Sequence, residues 1–492
     1  MHKGGLKLIT VYPYHKSLKK VQTKEYDHRQ VGKGRDIILD LLKDPIEKLK
    51  EQFQDSADLT VHEFEFYHDK IRLVFLQTLC DDKKIKDNIL QPLMLCERRT
   101  TYVLHLLSLP ASKPYSKDDD VTKLLLEGNV LILLDNEIIF YKATKINNKE
   151  PQEANVEMSV LGPKKALSEN LDNNITLVRS RYPTNKLKVE NSEVGTMSKT
   201  KIAILYDVDY VQHDVLDDLK ERLSNINIDM IQAAGQLENA LTTEKFTIFP
   251  TMMITERPDR IALNLSQGKI VILLDGTPFS LILPAVFFDF ISSMDDLFHA
   301  FWVKQLMVLL RYSGLLITIT LPSIYIAITG FNPEILRSQL ALTIAGSRAA
   351  VPYPAFFEVI LMLLAVEMLV EASIRLPTVI GPTATTVGGL ILGQAAQQAQ
   401  LVSAIMIIIT AFVAISNFTI PINAMSFAVR CLRYPLIILS SLFGIIGLIA
   451  GLVLVLCYLT EIRSFGKPYL AIYWGSSKEI RVISETPKEE QR

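Results

Sequence analysis

Residues 352–401 read PYPAFFEVILMLLAVEMLVEASIRLPTVIGPTATTVGGLILGQAAQQAQL, and the fold of the C-terminal third turns on how this stretch is taken. It lies in a strongly apolar region, yet it carries Glu358, Glu367, Glu371 and Arg375, then a run of Thr and Gly. As a helix in lipid, 355–374 offers eleven Leu, Ile, Val or Phe, each favourable by about 0.3–0.6 kcal/mol near a bilayer centre. An acidic side chain at that depth costs roughly 2.5–3.5 kcal/mol. Glu367 and Glu371 both sit well inside, so the sum is close to zero. The segment is not expected to face lipid on all sides. At about 100° per residue, Glu367 and Glu371 fall about 40° apart, with Glu358 roughly opposite and nearer the end. One acidic face must meet protein or water.

The next segment, 379–397, is poor in strong apolar residues and rich in Thr, Gly and Gln. Gly389 and Gly393 form a GxxxG pair of the kind that lets helices approach closely. Steps of three and four from Thr383 place Val387, Leu390, Gln394 and Gln397 on one stripe. Two readings stay open: a tightly packed internal helix, or the lining of a narrow aqueous path with an apolar constriction.

Outward from this pair, 286–305 is aromatic and acidic and reads as an interfacial helix leading into a membrane region at 306–460. The expected spans are about 307–329, 355–374, 379–397, 401–420 and 435–459, five in all. Arg311 opens the first, where it can reach the surface, and Pro322 is a kink position within it. Gly447 and Gly451 form a second small-residue contact in the last span. Arg375 lies on the cytoplasmic side if the first two spans cross, and Arg430 and Arg433 join it if 379–397 crosses fully, as the positive-inside rule favours; the tail at 461–492 is then outside, whereas a re-entrant 379–397 reverses both.

Residues 1 to about 300 are as charged as an ordinary soluble protein, within a chain of 492 residues and net charge −1. No export signal is read at the N-terminus, so this region is expected in the cytoplasm. Residues 1–36 hold nine Lys or Arg against three acidic residues and read as a basic flexible tail, extending to 49, that could rest on anionic lipid. Two stretches share one pattern, LLLEGNVLILLDNEIIFY at 124–141 and LNLSQGKIVILLDGTPF at 263–279. Each has Gly, a short apolar run ending Ile-Leu-Leu-Asp, and a turn residue suited to a tight hairpin. Two related α/β subdomains follow, 50–150 and 185–285, joined by a polar connector at 151–184. Their cleft is a candidate small-molecule site on architecture alone. Cys80, Cys96, Cys431 and Cys457 show no ligand spacing, and His62 and His68 have no third ligand nearby. Nothing calls for an enzyme, a cofactor, a metal or a nucleic acid.

Many short motifs then carry a resemblance. Among them are Gly162-Pro163, Ser198-Lys-Thr200, Thr255-Glu-Arg-Pro-Asp259, Asp275-Gly-Thr-Pro278, Arg348-Ala-Ala-Val-Pro352, Arg375-Leu-Pro377, Ile380-Gly-Pro382, Gly393-Gln-Ala-Ala396 and Ser464-Phe-Gly466. In this order, from about residue 60 to 471, they resemble the A subunit of the GerA-type spore germination receptors. The chain departs at Lys164-Lys-Ala-Leu167, where the family has a basic residue before Glu-Gly-Phe, and at Leu76-Gln-Thr78, where it has an Asp-Gly turn. The resemblance implies a multi-pass protein of the inner spore membrane with a cytoplasmic N-terminal region, alongside a transporter-like B subunit and a lipoprotein C subunit. It implies nutrient sensing by the complex and a homo-oligomeric A subunit that conducts ions. Carried onto this chain, Thr383, Val387, Leu390, Gln394 and Gln397 become pore-lining candidates. Glu358, Glu367, Glu371, Arg348 and Arg375 become candidates for a cation-attracting vestibule or intersubunit pairing, against simple buried pairing. A non-conducting scaffold and a secondary transporter are the rivals; the latter calls for inverted repeats that the membrane half lacks.

Overall fold

The computed structural model describes residues 45–470 except 67–68, 97, 117–118, 135–136, 146–152, 155, 158, 244–246 and 377–380. Of the expected basic tail only the start of the helix Pro45–Gln52 is described. The Asp135-Asn136 turn and the tail beyond 470 lie outside the described residues.

Apolar runs bounded by turn residues form two antiparallel sheets. The first holds β1 (Leu59–Phe66), β2 (Asp69–Leu76), β3 (Ser112–Pro114), β4 (Asn129–Leu134) and β5 (Glu137–Lys142), in the order β1-β2-β4-β5-β3. The second holds β6 (Leu187–Val194), β7 (Thr200–Asp207), β8 (Met253–Thr255), β9 (Ile270–Leu274) and β10 (Ser280–Leu283), in the order β6-β7-β9-β10-β8. Position for position the orders are the same. The repeated stretches fall on β4–β5 and β9–β10, and β4 and β9 are buried along their whole length, which explains their unbroken apolar runs. The helices Val121–Leu126 and Pro258–Ser266 feed β4 and β9. Each ends on a left-handed glycine, Gly128 and Gly268, both at φ +79°, the conformation that stops a helix without a Cβ clash.

The sheets meet at a buried ion pair. Arg179, on the helix Leu171–Arg181, gives two N–H groups to Asp58, Nε–Oδ2 at 2.5 Å and Nη2–Oδ1 at 2.6 Å. Ser56 and Thr78 also donate to Asp58. The cleft proposed as a ligand site is therefore closed at this point by charge and hydrogen bonds.

The C-terminal region is helical: α1 (Phe301–Gly330), α2 (Ser338–Arg348), α3 (Ala355–Arg375), α4 (Gly381–Gln398), α5 (Ala404–Asn417) and α6 (Asn423–Glu461). Two of these, α1 and α6, are long and apolar enough to cross a membrane. Val359, Met362, Leu363, Ala396, Met406, Val413, Ile437 and Ile326 form their shared core. The lower ends of α1 and α6 join the second sheet instead: Ile319, Met425, Ala428 and Leu432 pack in one cluster with Leu205, Leu273 and Phe290.

Two expectations change. The stretch 286–305 is not one interfacial helix. It breaks into Phe287–Ile291, a 3-10 turn Met294–Leu297 and the start of α1. Ser293 caps the turn and Phe290 is buried in the protein, whereas Phe298, Phe301 and Trp302 stay exposed. The last span is not a single crossing at 435–459 either. Helical φ/ψ fails at Gly444 (φ 62°, ψ −138°), and beyond it the chain doubles back. A Cβ on Gly447 would lie 2.1 Å from the Leu439 carbonyl oxygen, and one on Gly451 2.4 Å from a Leu436 methyl. In a straight helix residues 436 and 451 would stand about 22 Å apart. Thus α6 is a helical hairpin whose returning arm brings Gly447 and Gly451 against the first arm, and the stretch expected as one span at 435–459 holds the end of one arm and most of the other.

The returning arm delivers residues 462–470 to the second sheet. Two-residue strands β11 (Arg463–Ser464) and β12 (Lys467–Pro468) flank a Phe465-Gly466 turn, both residues at positive φ (45° and 75°), as a tight hairpin requires. The Ser464 hydroxyl donates to the Thr251 carbonyl and accepts from the Ala285 N–H. Phe465 is buried with Val215, Leu219, Leu237 and Leu281. This strap ties the end of the helical region to the α/β region.

Candidate functional site

The layer between sheets and helices is built from paired charges. Arg311, near the start of α1, makes a two-pronged contact to Asp296, 2.5 and 2.7 Å. Burial pushes the Asp296 carboxyl up, but the Arg311 guanidinium and the Ser293 N–H outweigh it and hold it below its ordinary range. Lys269, at the entry to β9, reaches Asp289 at 2.7 Å; burial draws its ammonium down against the pull of that carboxylate. Arg260 pairs with Glu157 at 2.7 Å, Arg257 with Asp259, and the Glu256 carboxylate accepts from the N–H groups of Val156 and Glu157. The Thr-Glu-Arg-Pro-Asp motif at 255–259 therefore clamps the connector onto the second sheet. Phe249, Phe287, Tyr458 and Tyr469 stack at 6.0–6.5 Å beside it.

On α3 each of the three glutamates has a cation. Glu358 is buried, accepts the Ser403 N–H at 2.5 Å and the Tyr325 hydroxyl at 3.3 Å, and stands 3.5 Å from Nε of Arg348. Glu367 accepts from Arg430 (Nη1–Oε2, 2.6 Å) and from Arg433. Glu371 pairs one turn along with Arg375 at 2.6 Å, both exposed. The structure thus brings Arg348 to Glu358 and Arg375 to Glu371. It gives Glu367 two partners read from the sequence only as topology markers. A carboxylate at mid-helix needs a cation at its own depth, and Arg430 and Arg433 were the signal for it. Tyr325 and Ser403 carried no signal in the sequence.

The stripe on α4 faces outward: Thr383, Val387, Leu390, Gln394 and Gln397 are all exposed in the single chain. The opposite side packs on α3, with Gly388 and Gly389 against Leu369 and Ala396 buried. Gly393 meets nothing within 4 Å of a Cβ, so of the GxxxG pair only Gly389 makes an intrachain contact. Gly447 and Gly451 both make close contacts, but between the arms of one hairpin. Polar Thr and Gln beside Val387 and Leu390 leave a half-polar face without intrachain cover.

Two sheets of one topology, the second joined by ion pairs and a shared apolar cluster to the base of the helices, define a protein that couples an α/β region to a helical region. The chain belongs to the Bacillus/Clostridium GerA spore germination protein family, whose match covers residues 47–486. Relatives in Bacillus subtilis (strain 168) include spore germination protein KA, 35% identical over 87% of this chain and 80% of its own, and spore germination protein B1, 34% identical over 87% and 91%. Another, described as the uncharacterized membrane protein YfkQ, is 30% identical over 87% of this chain and 85% of its own. A crystal structure of the N-terminal domain of the A subunit of the Bacillus megaterium spore germinant receptor GerK3 is also similar. It is 26% identical with a TM-score of 0.39, over 50% of this chain and 95% of that one.

Proposed function

We propose that this chain is a membrane subunit of a nutrient-responsive germination receptor, and that several copies assemble around α4 to enclose a cation-conducting path. The carrying observation is the outward stripe Thr383, Val387, Leu390, Gln394, Gln397. Unpaired amides and hydroxyls in hydrocarbon each cost several kcal/mol by order of magnitude, so this face calls for water or another copy. Val387 and Leu390 would form the apolar constriction that gates by dewetting. With α6 folded as a hairpin, α1, α3, α4, α5 and the two arms of α6 make six crossings. The α/β region and the 462–470 strap then share the cytoplasmic side with Arg311, Arg375, Arg430 and Arg433, as the positive-inside rule asks. Glu371 is the one glutamate of α3 that faces outward, and it is the residue assigned to draw cations in. The inner spore membrane, a transporter-like B subunit and a lipoprotein C subunit complete the proposal by family resemblance.

A non-conducting scaffold is favoured by one observation: Glu358 and Glu367 are already satisfied within the chain. Purified protein in planar bilayers separates the two readings. Single-channel currents that change with Leu390→Ala or Val387→Ala support the path. Absence of conductance in every assembly favours the scaffold.

A further inference from the structure

Between α3 and α6 two cations share one anion. Glu367 is the only carboxylate among the described residues that pairs with Arg430 or Arg433. The Arg433 side chain is 3% exposed, and its Nε, like that of Arg430, is buried without an acceptor, as is the Tyr434 hydroxyl. Each guanidinium carries five N–H donors and spends one on Glu367. The cluster is left one positive charge in excess. Exposed Phe427 lies under the Arg430 guanidinium at 5.4 Å.

We propose that this cluster binds the phosphate of a membrane phospholipid headgroup. The proposal rests on the membrane placement given above. Three facts favour a phosphate. The excess charge is a single positive one, which an uncompensated guanidinium cannot carry cheaply at the edge of hydrocarbon. A guanidinium fork matches a phosphate with two parallel N–H groups. The third is height: at about 1.5 Å per residue, Arg430 and Arg433 stand about 10 and 15 Å above the start of α6. The cluster shared with the second sheet runs on through Leu432 and Leu436, and the core made by the helices alone takes over at Ile437, so the guanidinium groups lie in the last turns before that bundle, the level the proposal gives to the headgroup layer. Basic pockets between helices at the cytoplasmic face are the ordinary setting for headgroup capture.

The test uses the full chain reconstituted in phosphatidylglycerol or phosphatidylcholine vesicles, extracted in mild detergent and weighed by native mass spectrometry to count retained lipid. Arg430→Gln/Arg433→Gln should lower phosphatidylglycerol retention about tenfold or more. Glu367→Gln, which frees both guanidinium groups, should raise it; a purely structural cluster would lower retention in both variants. Added inorganic phosphate should not displace the lipid. Equal retention in wild type and the arginine variant overturns the proposal. So does loss of oligomers with lipid retained, which would make the missing anion a carboxylate of a second copy. A chain that fails to enter vesicles at all overturns the membrane reading itself.

Discussion

The two sheets share a strand order and a helix-stopping glycine, yet they do different work. The first is covered by short helices that leave Met94, Leu95 and Leu104 exposed. The second is packed on both faces: Val215, Leu219 and Leu237 with the strap residue Phe465 on one, and the base of α1 and α6 on the other. One architecture thus appears once as a peripheral unit and once as the platform of the helical region. A movement of α1 or α6 reaches the second sheet directly and, among the described residues, the first sheet across the seam around Asp58 and Arg179, where Ala57 also bonds Val189 and Thr176 bonds Thr78.

Cutting that seam is the largest expected effect. Arg179→Met leaves Asp58 charged in a buried site, which should cost about 3–5 kcal/mol and split thermal unfolding into two transitions, the first sheet melting earlier. Asp58→Asn/Arg179→Met should recover much of the loss. The Asp58 carboxyl is pushed up by burial but held below its ordinary value by Arg179 and the hydroxyls of Ser56 and Thr78. Its contribution is present above the unfolded carboxylate range and is lost as pH falls, so acid should open the seam in wild type and not in the double variant. A single transition throughout would show the sheets to be one unit.

Removing the strap's anchor comes next. Phe465→Ala deletes a buried ring that also carries the Arg222 guanidinium at 4.4 Å, at a cost of about 3 kcal/mol. Hydrogen exchange should rise in the helix His213–Ser224 and in the returning arm of α6, with β1 to β5 unchanged. Equal protection loss in both sheets would erase the distinction drawn between them.

A titration sharpens it further. Glu238, on the helix Ala234–Leu241, lines a cavity of about 570 Å³ with Phe249, Ala424 and Phe427, and burial pushes its carboxyl up to about 7. Since the folded state holds a proton that the unfolded state has released, stability should fall as pH rises from about 4.5 to about 7 and level off above. The span is on the order of 3 kcal/mol. Glu238→Gln should flatten this slope in melting curves; an unchanged slope would place the titrating group elsewhere.

Legibility in the sequence followed the range of the physics. The repeat at 124–141 and 263–279 is a local pattern, and its apolar runs fall on the strand pairs β4–β5 and β9–β10. What composition hid was the turn at Gly444: an apolar run reads the same whether it crosses once or doubles back, and only the close approach of Gly447 and Gly451 to Leu439 and Leu436 distinguishes them. The partners of Glu367 were hidden for a related reason, since they lie 63 and 66 residues away and charge alone does not say which pair meets. The α4 stripe was legible as a face, and its exposure in one chain leaves its partner to experiment.

The smallest effect tests the equivalence of the sheets most directly. Gly128 and Gly268 hold the same position and the same φ of +79°, so alanine should cost each about 1–2 kcal/mol from backbone strain alone. Their surroundings differ. A Cβ at Gly128 meets the Thr144 hydroxyl at 3.0 Å, which can turn aside, and backbone atoms of Leu79 and Thr144 at 3.2 Å, whereas at Gly268 it meets the Tyr210 backbone carbonyl oxygen at 2.3 Å, far inside contact distance. Chemical denaturation should therefore rank Gly268→Ala below Gly128→Ala by on the order of 1 kcal/mol or more. Equal losses would mean that the loop at Tyr210 yields as readily as a side chain, and that the platform sheet is no more tightly built than its peripheral twin.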